Sequence, residues 1–461
     1  MNNHKNFAIP TELIKRYNRP GPRYTSYPTV PVWEEGYFDN HYSECLKREG
    51  KNNRNISLYI HIPFCRQLCT YCGCNKYITT NQGLVKKYLN ALEREICSVA
   101  EKIDTKKELA EVHLGGGTPT FLNPKQLERI VEILRSNFKT NLVKEWAFEA
   151  DPRVTSKQHL EVLYNLGFRR VSFGVQDLNP RIQKAINRNQ TKEQSENTFK
   201  IARNLGYKSI NLDLVYGLPF QTKSLFRETL KEVMKLRPDR LAVYSFAFLP
   251  GMFKTHSHAI KEKDLPNSKE KIQIYLEAIN FLQNKGYIMI GMDHYSLPND
   301  ELAKALKNKT LHRNFMGYTT LHDMTQIGVG VSAISDFGDK YFQNQKKLHE
   351  YIEETSDKKI IPRKYFHLDN DDQLRRKIIE TIMCHGEISI KYFENYYNID
   401  FKEYFSRTWN KIQDFEEEGL VELNDKKIKL TKLGMIFMRN VVMPFDRHLD
   451  ELTSPKFSKT V

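Results

Sequence analysis

The chain has 461 residues, 40% of them hydrophobic and 28% charged, which supports a folded chain of two to four domains at roughly 150 residues each and excludes a largely disordered one. No apolar run reaches the roughly 18 to 20 residues of a membrane-spanning helix, because LAVYSFAFLPGMF and YIMIGM are too short. The start, MNNHKNFAIPTELIKRYNRPGPRY, lacks the pattern of a secretory signal, so a cytoplasmic protein without membrane insertion is expected. Lys and Arg number 71 against 56 Asp and Glu, a net charge of +15 that makes a polyanionic partner conceivable. The basic residues are nevertheless scattered in short groups (KEKD, KNNR, KNKT, NQKK), which reads as solvated surface and not as a nucleic-acid face.

In chain order, residues 1–50 are expected to form an arm packed on another domain. The segment RPGPRYTSYPT carries three prolines and one glycine, which forbids a regular helix. Over 51–340, strand-like runs alternate with amphipathic helical windows, the signature of βα units and a parallel sheet, either an α/β barrel or a doubly wound sheet. ISLYIHI places Ile56, Leu58, Ile60 and Ile62 on one face, with Tyr59 and His61 on the other. Helical periodicity follows over 84–102, through Val85, Tyr88, Leu89, Leu92, Ile96 and Val99. EVHL then runs into Gly115, Gly116 and Gly117, and after a helix over 124–138 come WAFEAD, RVSFGVQ, SINLDLVYG and LAVYSFAF. A long helix over 268–285 precedes a last strand, IMIGMDH, making about seven strands in all. Residues 341–370 read as a linker. From 371 to 461 a mainly helical domain is expected, in which two short strands joined by an Asn-Asp turn suggest a winged-helix layout.

Two features point to chemistry. Glu149, Gln176 and Asp213 each close an apolar strand, at the rim where parallel α/β barrels build active sites, although any one alone could be a turn residue or a helix cap. Of the seven cysteines, Cys65, Cys69, Cys72 and Cys74 lie within ten residues, directly after the first strand. Cys-x3-Cys-x2-Cys on one loop can hold three irons of a cubane cluster and leave the fourth open. A closed zinc site recruiting Cys74 fits less well, because structural zinc usually draws on two separated pairs.

Cys-x3-Cys-x-aromatic-Cys, with Tyr71 as the aromatic, is the signature of radical S-adenosylmethionine (SAM) enzymes. RYTSYPT (23–29), YIHIPFC (59–65), YCGCN (71–75), LGGGTPT (114–120), FGVQD (173–177), DLVYGLP (213–219), IGMDHY (290–295), RNFMGYTT (313–320) and GVSAIS (330–335) together resemble the oxygen-independent coproporphyrinogen III oxidase family, from about residue 17 to 450. The resemblance implies an α/β fold: a partial (β/α)6-type radical SAM barrel with an N-terminal arm and a smaller, mainly helical, winged-helix-like C-terminal domain. It implies a monomeric enzyme that decarboxylates two propionates of coproporphyrinogen III to vinyl groups, using a 5'-deoxyadenosyl radical. An electron donor and an electron acceptor, neither identifiable from the sequence, would serve it, and no nucleic-acid partner is expected.

By the same resemblance, Cys65, Cys69 and Cys72 are metal ligands of a [4Fe-4S] cluster, and SAM binds, with two molecules per chain. Tyr59, Gly116, Glu149 and Ile334 match contacts to the cluster-bound SAM; Tyr71, Gly117, Thr118, Gln176, Arg188, Asp213 and Ala247 match contacts to the second. Arg19, Arg23, Phe315 and Met316 are candidates for placing the substrate. Met316 departs from the family's pattern, which has glutamine there, so a thioether replaces a donor and acceptor. Two other readings share the cluster motif: a haem-carrying relative, whose resemblance lacks the RYTSYPT arm, and a radical SAM enzyme acting on nucleic acid.

Overall fold

The computed structural model describes residues 9–103, 107–357, 362–451 and 457–460. Its centre is a 13-stranded sheet. β1 (Asn55–Ile62), β2 (Leu109–Gly116), β3 (Glu145–Ala150), β4 (Arg170–Gln176), β5 (Ser209–Tyr216) and β6 (Arg240–Ser245) run parallel in that order. Helices α1 (Gln82–Ile103), α2 (Pro124–Asn137), α3 (Lys157–Leu166), α4 (Lys192–Leu205) and α5 (Lys223–Leu236) connect them, and α6 (Ser268–Asn284) follows β6. Linear strand order leaves the barrel open.

Alternation in β1 does what the sequence suggests. Ile56, Leu58, Ile60 and Ile62 are at most 1% exposed in the core beneath the helices, which leaves Tyr59 and His61 for the barrel interior. Val85, Tyr88, Leu89, Leu92, Ile96 and Val99 of α1 pack on that core, and truncating Leu92 to alanine would cost about 2–5 kcal/mol. Asn123, Thr191 and Asn267 start α2, α4 and α6 with capping boxes, which satisfy amide groups that the helix itself cannot.

Two expectations need correction. IMIGMDH is no seventh barrel strand: Ile288–Gly291 (β7) folds back antiparallel on His294–Ser296 (β8), which pairs antiparallel with β6. The true seventh parallel strand is β9 (Met324–Val329), which joins the opposite side of β1. Residues 341–370, expected as a linker, carry part of the sheet. β10 (Ile334–Asp336), β11 (Lys340–Asn344) and β12 (Pro362–His367) extend it antiparallel beyond β9, and the arm's Glu34–Glu35 pairs with β12. Short polar-edged strands of this kind carry too little apolar periodicity to stand out.

The arm is not turns alone, since it holds helices Thr11–Tyr17 and Asp39–Lys51. In the C-terminal region α7 (Asn370–His385) precedes a three-stranded antiparallel sheet of Glu387–Ser389, Lys427–Leu430 and Val421–Asn424. Arm and C-terminal region share one core: Tyr17, Tyr24 and Tyr27 pack with Ile378, Phe415 and Phe437. Arg439 clamps the two together by donating to the carbonyls of Gly21, Pro22 and Lys459. Among the described residues no helix is long and apolar enough to cross a membrane.

Candidate active site

The C-terminal ends of β1 to β6 surround a cavity of about 520 Å³. Its wall includes Cys65, Cys69, Tyr71, Cys72, Cys74, Gly116, Gly117, Thr118, Glu149, Gln176, Arg188, Asp213, Ala247 and Arg23. Most of the residues singled out from the sequence are thus brought to one place by the strand ends.

Backbone pairing holds the cysteine loop. Phe64–Cys65 runs parallel to Tyr77–Ile78, and the Tyr77 and Thr79 amides donate to the carbonyls of Pro63 and Cys65 at 2.7 and 3.2 Å. Between these ends, the Cys72 amide donates to the Cys69 carbonyl (3.2 Å), and Lys76 Nζ donates to the Cys72 carbonyl (2.9 Å). Asn187 reaches over from beyond β4 to donate to the carbonyl of Leu68 at 2.7 Å.

Across the cavity, the glycines at the end of β2 are required by close approach. Gly116 has φ +118°, and a Cβ there would lie 2.8 Å from the Ile62 carbonyl and from the His61 ring. A Cβ on Gly117 would meet the Pro63 backbone, also at 2.8 Å. Side chains would push the strand end away from the loop. Glu149 accepts from the Gly116 amide at 3.2 Å, with His113 Nε2 3.7 Å from its other oxygen. Burial opposes a charge on His113, but the hydrogen bond and charge of Glu149 prevail and raise its pKa.

Asp213 accepts from Ser172 (2.9 Å) and Asn211 (2.7 Å). Burial pushes its carboxyl up to about 7, with the charge of Glu149 adding to the effect. Gln176 ends β4 with φ +70°, a conformation costly for a residue with a Cβ and common at functional sites. Arg188 is buried and committed before any ligand arrives. It donates to the Gly174 carbonyl (2.5 Å) and to Gln190 (3.0 Å), pairs with Asp151 (3.3 Å), and points Nη1 at Cys69 Sγ and Tyr71 Oη, each 3.5 Å away. Arg23 faces the cavity, paired with Asp293 and 5.7 Å from the Tyr244 ring centre.

Other expected residues lie elsewhere. Arg19 is exposed on the arm, where its backbone carbonyl accepts from the Thr460 amide, and it does not line the cavity. Phe315 and Ile334 pack against an apolar cluster of Trp33, Tyr341 and Leu368. Met316 sits half-buried in the turn between strands His312–Asn314 and Gly317–Thr319, its amide donating to Asn314 Oδ1 at 2.9 Å. Arg313 beside it donates to the Arg23 and Tyr24 carbonyls, so this hairpin carries the arm. Tyr59 lies just behind the wall: its hydroxyl bonds His61 Nδ1 at 3.0 Å, and its ring covers Gly115.

Sequence reasoning missed Asp151 and Arg153. Both line the cavity, and Arg153 Nη2 is 3.3 Å from Cys69 Sγ. Their position at the end of WAFEAD and just beyond it, at the same rim as Glu149, was the available signal.

The donor set fits an iron-sulfur cluster. Three thiols on one braced loop line an open cavity, two guanidiniums face one of them, and the opposite wall is bare glycine backbone. Among the described residues no three His, Cys, Asp or Glu side chains close on a single ion. The Cys72 thiol is drawn down by a hydrogen bond from Cys74, with burial opposing, whereas burial pushes Cys65 up to about 12.

Comparison with known proteins agrees. Residues 59–233 match the radical SAM superfamily and residues 368–437 the HemN C-terminal domain. The chain is 41% identical over 454 residues to the oxygen-independent coproporphyrinogen III oxidase of Pseudomonas aeruginosa, covering 98% of both chains. It is 40% identical to that of Escherichia coli, over 97% of this chain and 98% of the relative. The solved structure described as "Coproporphyrinogen III oxidase (HemN) from Escherichia coli is a Radical SAM enzyme" superposes with a TM-score of 0.90 at 39% identity, covering 96% of this chain and 100% of the other. A cysteine loop, a glycine strand end and a carboxylate gathered at the rim of an open barrel, within a chain matched over almost its whole length, make this protein a member of the oxygen-independent coproporphyrinogen III oxidase family of radical SAM enzymes.

Proposed function

We propose that the chain oxidatively decarboxylates two propionates of coproporphyrinogen III to vinyl groups, giving protoporphyrinogen IX for haem synthesis. The observation that carries this reading is the convergence of Cys65, Cys69 and Cys72 with Gly116, Glu149 and Asp213 on one cavity, in a fold shared throughout with the Escherichia coli enzyme. Cys65, Cys69 and Cys72 would hold three irons of a [4Fe-4S] cluster and leave the fourth for the amino and carboxylate groups of SAM. With both bound, an electron from the cluster and the sulfonium of SAM supply a carbon radical able to take a hydrogen atom from a propionate side chain.

The protein's own groups bind and orient. The glycine strand end lets a ligand lie against the backbone, and Glu149 can accept from an ammonium or hydroxyl group. Asp213 can hold ribose hydroxyls. Tyr71, Gly117, Thr118, Gln176, Arg188 and Ala247 would serve a second SAM. Because Arg188 already spends Nη2 and Nε on protein acceptors, it would offer a carboxylate Nη1 alone. Arg23 would take a substrate propionate. The arm supports the oxidase over the haem carrier, since it contributes Arg23 to the cavity wall. The protein would act in the cytoplasm as a monomer, with an electron donor and acceptor yet to be identified.

The test is strictly anaerobic. The cluster is reconstituted, SAM, reductant, coproporphyrinogen III and a cell extract as acceptor are added, and porphyrins and 5'-deoxyadenosine are quantified. Protoporphyrin after oxidation of the mixture, rising with deoxyadenosine, is expected. Deoxyadenosine without decarboxylation would move the substrate elsewhere, and tight haem binding without either product would favour the carrier. In the same assay, an Arg23→Ala variant with wild-type affinity and turnover would remove Arg23 from propionate binding.

A further inference from the structure

Cys65, Cys69 and Cys72 sit in unequal surroundings. Cys69 Sγ faces two guanidiniums, Arg153 Nη2 at 3.3 Å and Arg188 Nη1 at 3.5 Å, and among the described residues no arginine donates to Cys65 or Cys72. Arg153 is 12% exposed and has no freedom to turn away. Its Nε donates to both Asp151 oxygens (3.0 and 3.1 Å), its Nη2 donates to Asp151 Oδ2 (2.6 Å), and its Nη1 donates to Gln67 Oε1 (3.1 Å). Among the described residues Asp151 is the one carboxylate paired with these two guanidiniums, so the group keeps a net positive charge beside one sulfur. The loop has a brace besides Arg153: Asn187 accepts from Gln67 Nε2 at 3.3 Å and donates to the Leu68 carbonyl at 2.7 Å.

We propose that Arg153 is a positioning residue that sets the reduction potential of the cluster, through a charge-assisted N–H···S hydrogen bond to Cys69. The inference rests on the proposed function, in which Cys69 is a cluster ligand. Reduction adds one negative charge to a thiolate-bound cluster. A cation held against one of its sulfurs stabilises the reduced form more than the oxidised, and hydrogen bonds to cluster sulfurs are among the known levers on potential. Arg153 thereby eases arrival of the electron that radical formation needs.

The test compares wild type with Arg153→Met, which keeps the bulk, and Arg153→Gln, which keeps a donor without the charge. Each full-length chain is reconstituted anaerobically, iron and sulfide per chain are measured, and the cluster is titrated by EPR against a series of potentials without SAM. The expected result is an equal cluster content, with a methionine variant that titrates at more negative potential. Its ratio of reduced to oxidised cluster at fixed potential falls about tenfold, as loss of one charge-assisted hydrogen bond predicts. The glutamine variant falls between, and it decides the matter if the methionine variant takes up no cluster. A variant with full cluster content and the wild-type midpoint would overturn the proposal. A wild-type chain that takes up no cluster would overturn the functional reading beneath it.

Discussion

Two buried ionic networks in this molecule use the same residue types to opposite ends. At the cavity, one carboxylate, Asp151, serves two guanidiniums, Arg153 and Arg188. Burial opposes its charge, but Arg188 and Arg153 hold the carboxyl below its usual range. The excess cation is aimed at a thiol. At the junction of the arm and the C-terminal region, Asp372 accepts from Arg447 (2.9 Å), His448 (2.8 Å) and Tyr27 (3.4 Å), while Arg447 also reaches Asp369 and Asp371 at 2.6 and 2.7 Å. There every donor has its carboxylate, and nothing is left over for a ligand. A network in which every cation meets a carboxylate serves cohesion; one left with surplus positive charge facing a cavity serves chemistry.

The contrast can be broken experimentally. Cys69→Ala should abolish cluster uptake and drop turnover to background with little change in unfolding midpoint, whereas Cys74→Ala should keep the cluster; iron analysis and denaturation of both variants check this. Asp372→Ala should do the reverse. Arg447 and His448 would lose a buried partner, at a cost of about 3 kcal/mol in chemical denaturation, while reconstituted iron content stays at the wild-type level.

A fourth variant tests burial at the cavity directly. The Asp213 carboxyl lies at about 7, above its ordinary 3.8, so between those pH values the folded chain keeps a proton that the unfolded chain has lost. Its contribution to stability is present below about pH 4 and disappears as pH rises through 7. Asp213→Asn should therefore gain about 2 kcal/mol on wild type between pH 4 and 8. That is half of what the full shift implies, because the group faces an open cavity. Parallel denaturation curves for the two proteins would expose an error in this assignment.

The smallest effect is expected at the turn that carries the arm. Met316→Gln should leave the fold intact and keep or raise turnover, and a large loss would show that the thioether is specifically required.

Much of this was legible in the sequence for particular reasons. β1 to β6 announced themselves because their helix-facing positions are apolar, as at Ile56, Leu58, Ile60 and Ile62, and the glycine run of β2 and the cysteine loop are local by nature. IMIGMDH misled because a hairpin strand and a barrel strand share one apolar signature. β9 went unseen because Thr325, Gln326 and Gly328 interrupt the apolar residues of Met324–Val329. Arg153 escaped for a different reason: an arginine after a strand is ordinarily surface, and only the folded chain brings it to a cysteine 84 positions away.

The Arg439 clamp has a consequence for how the cavity wall is held. Residues 20 and 459 pair as an isolated bridge, the Gly21 amide donates to the Ser458 carbonyl, and the Thr460 amide donates to the Arg19 carbonyl. The segment carrying Arg23 and its anchor at Arg439 are more than 400 positions apart in the chain. The cysteine loop and the six-strand rim around it are drawn from the far shorter stretch between Asn55 and Ser245. The wall that Arg23 adds therefore depends on contacts between the most distant parts of the chain, whereas the loop it faces does not.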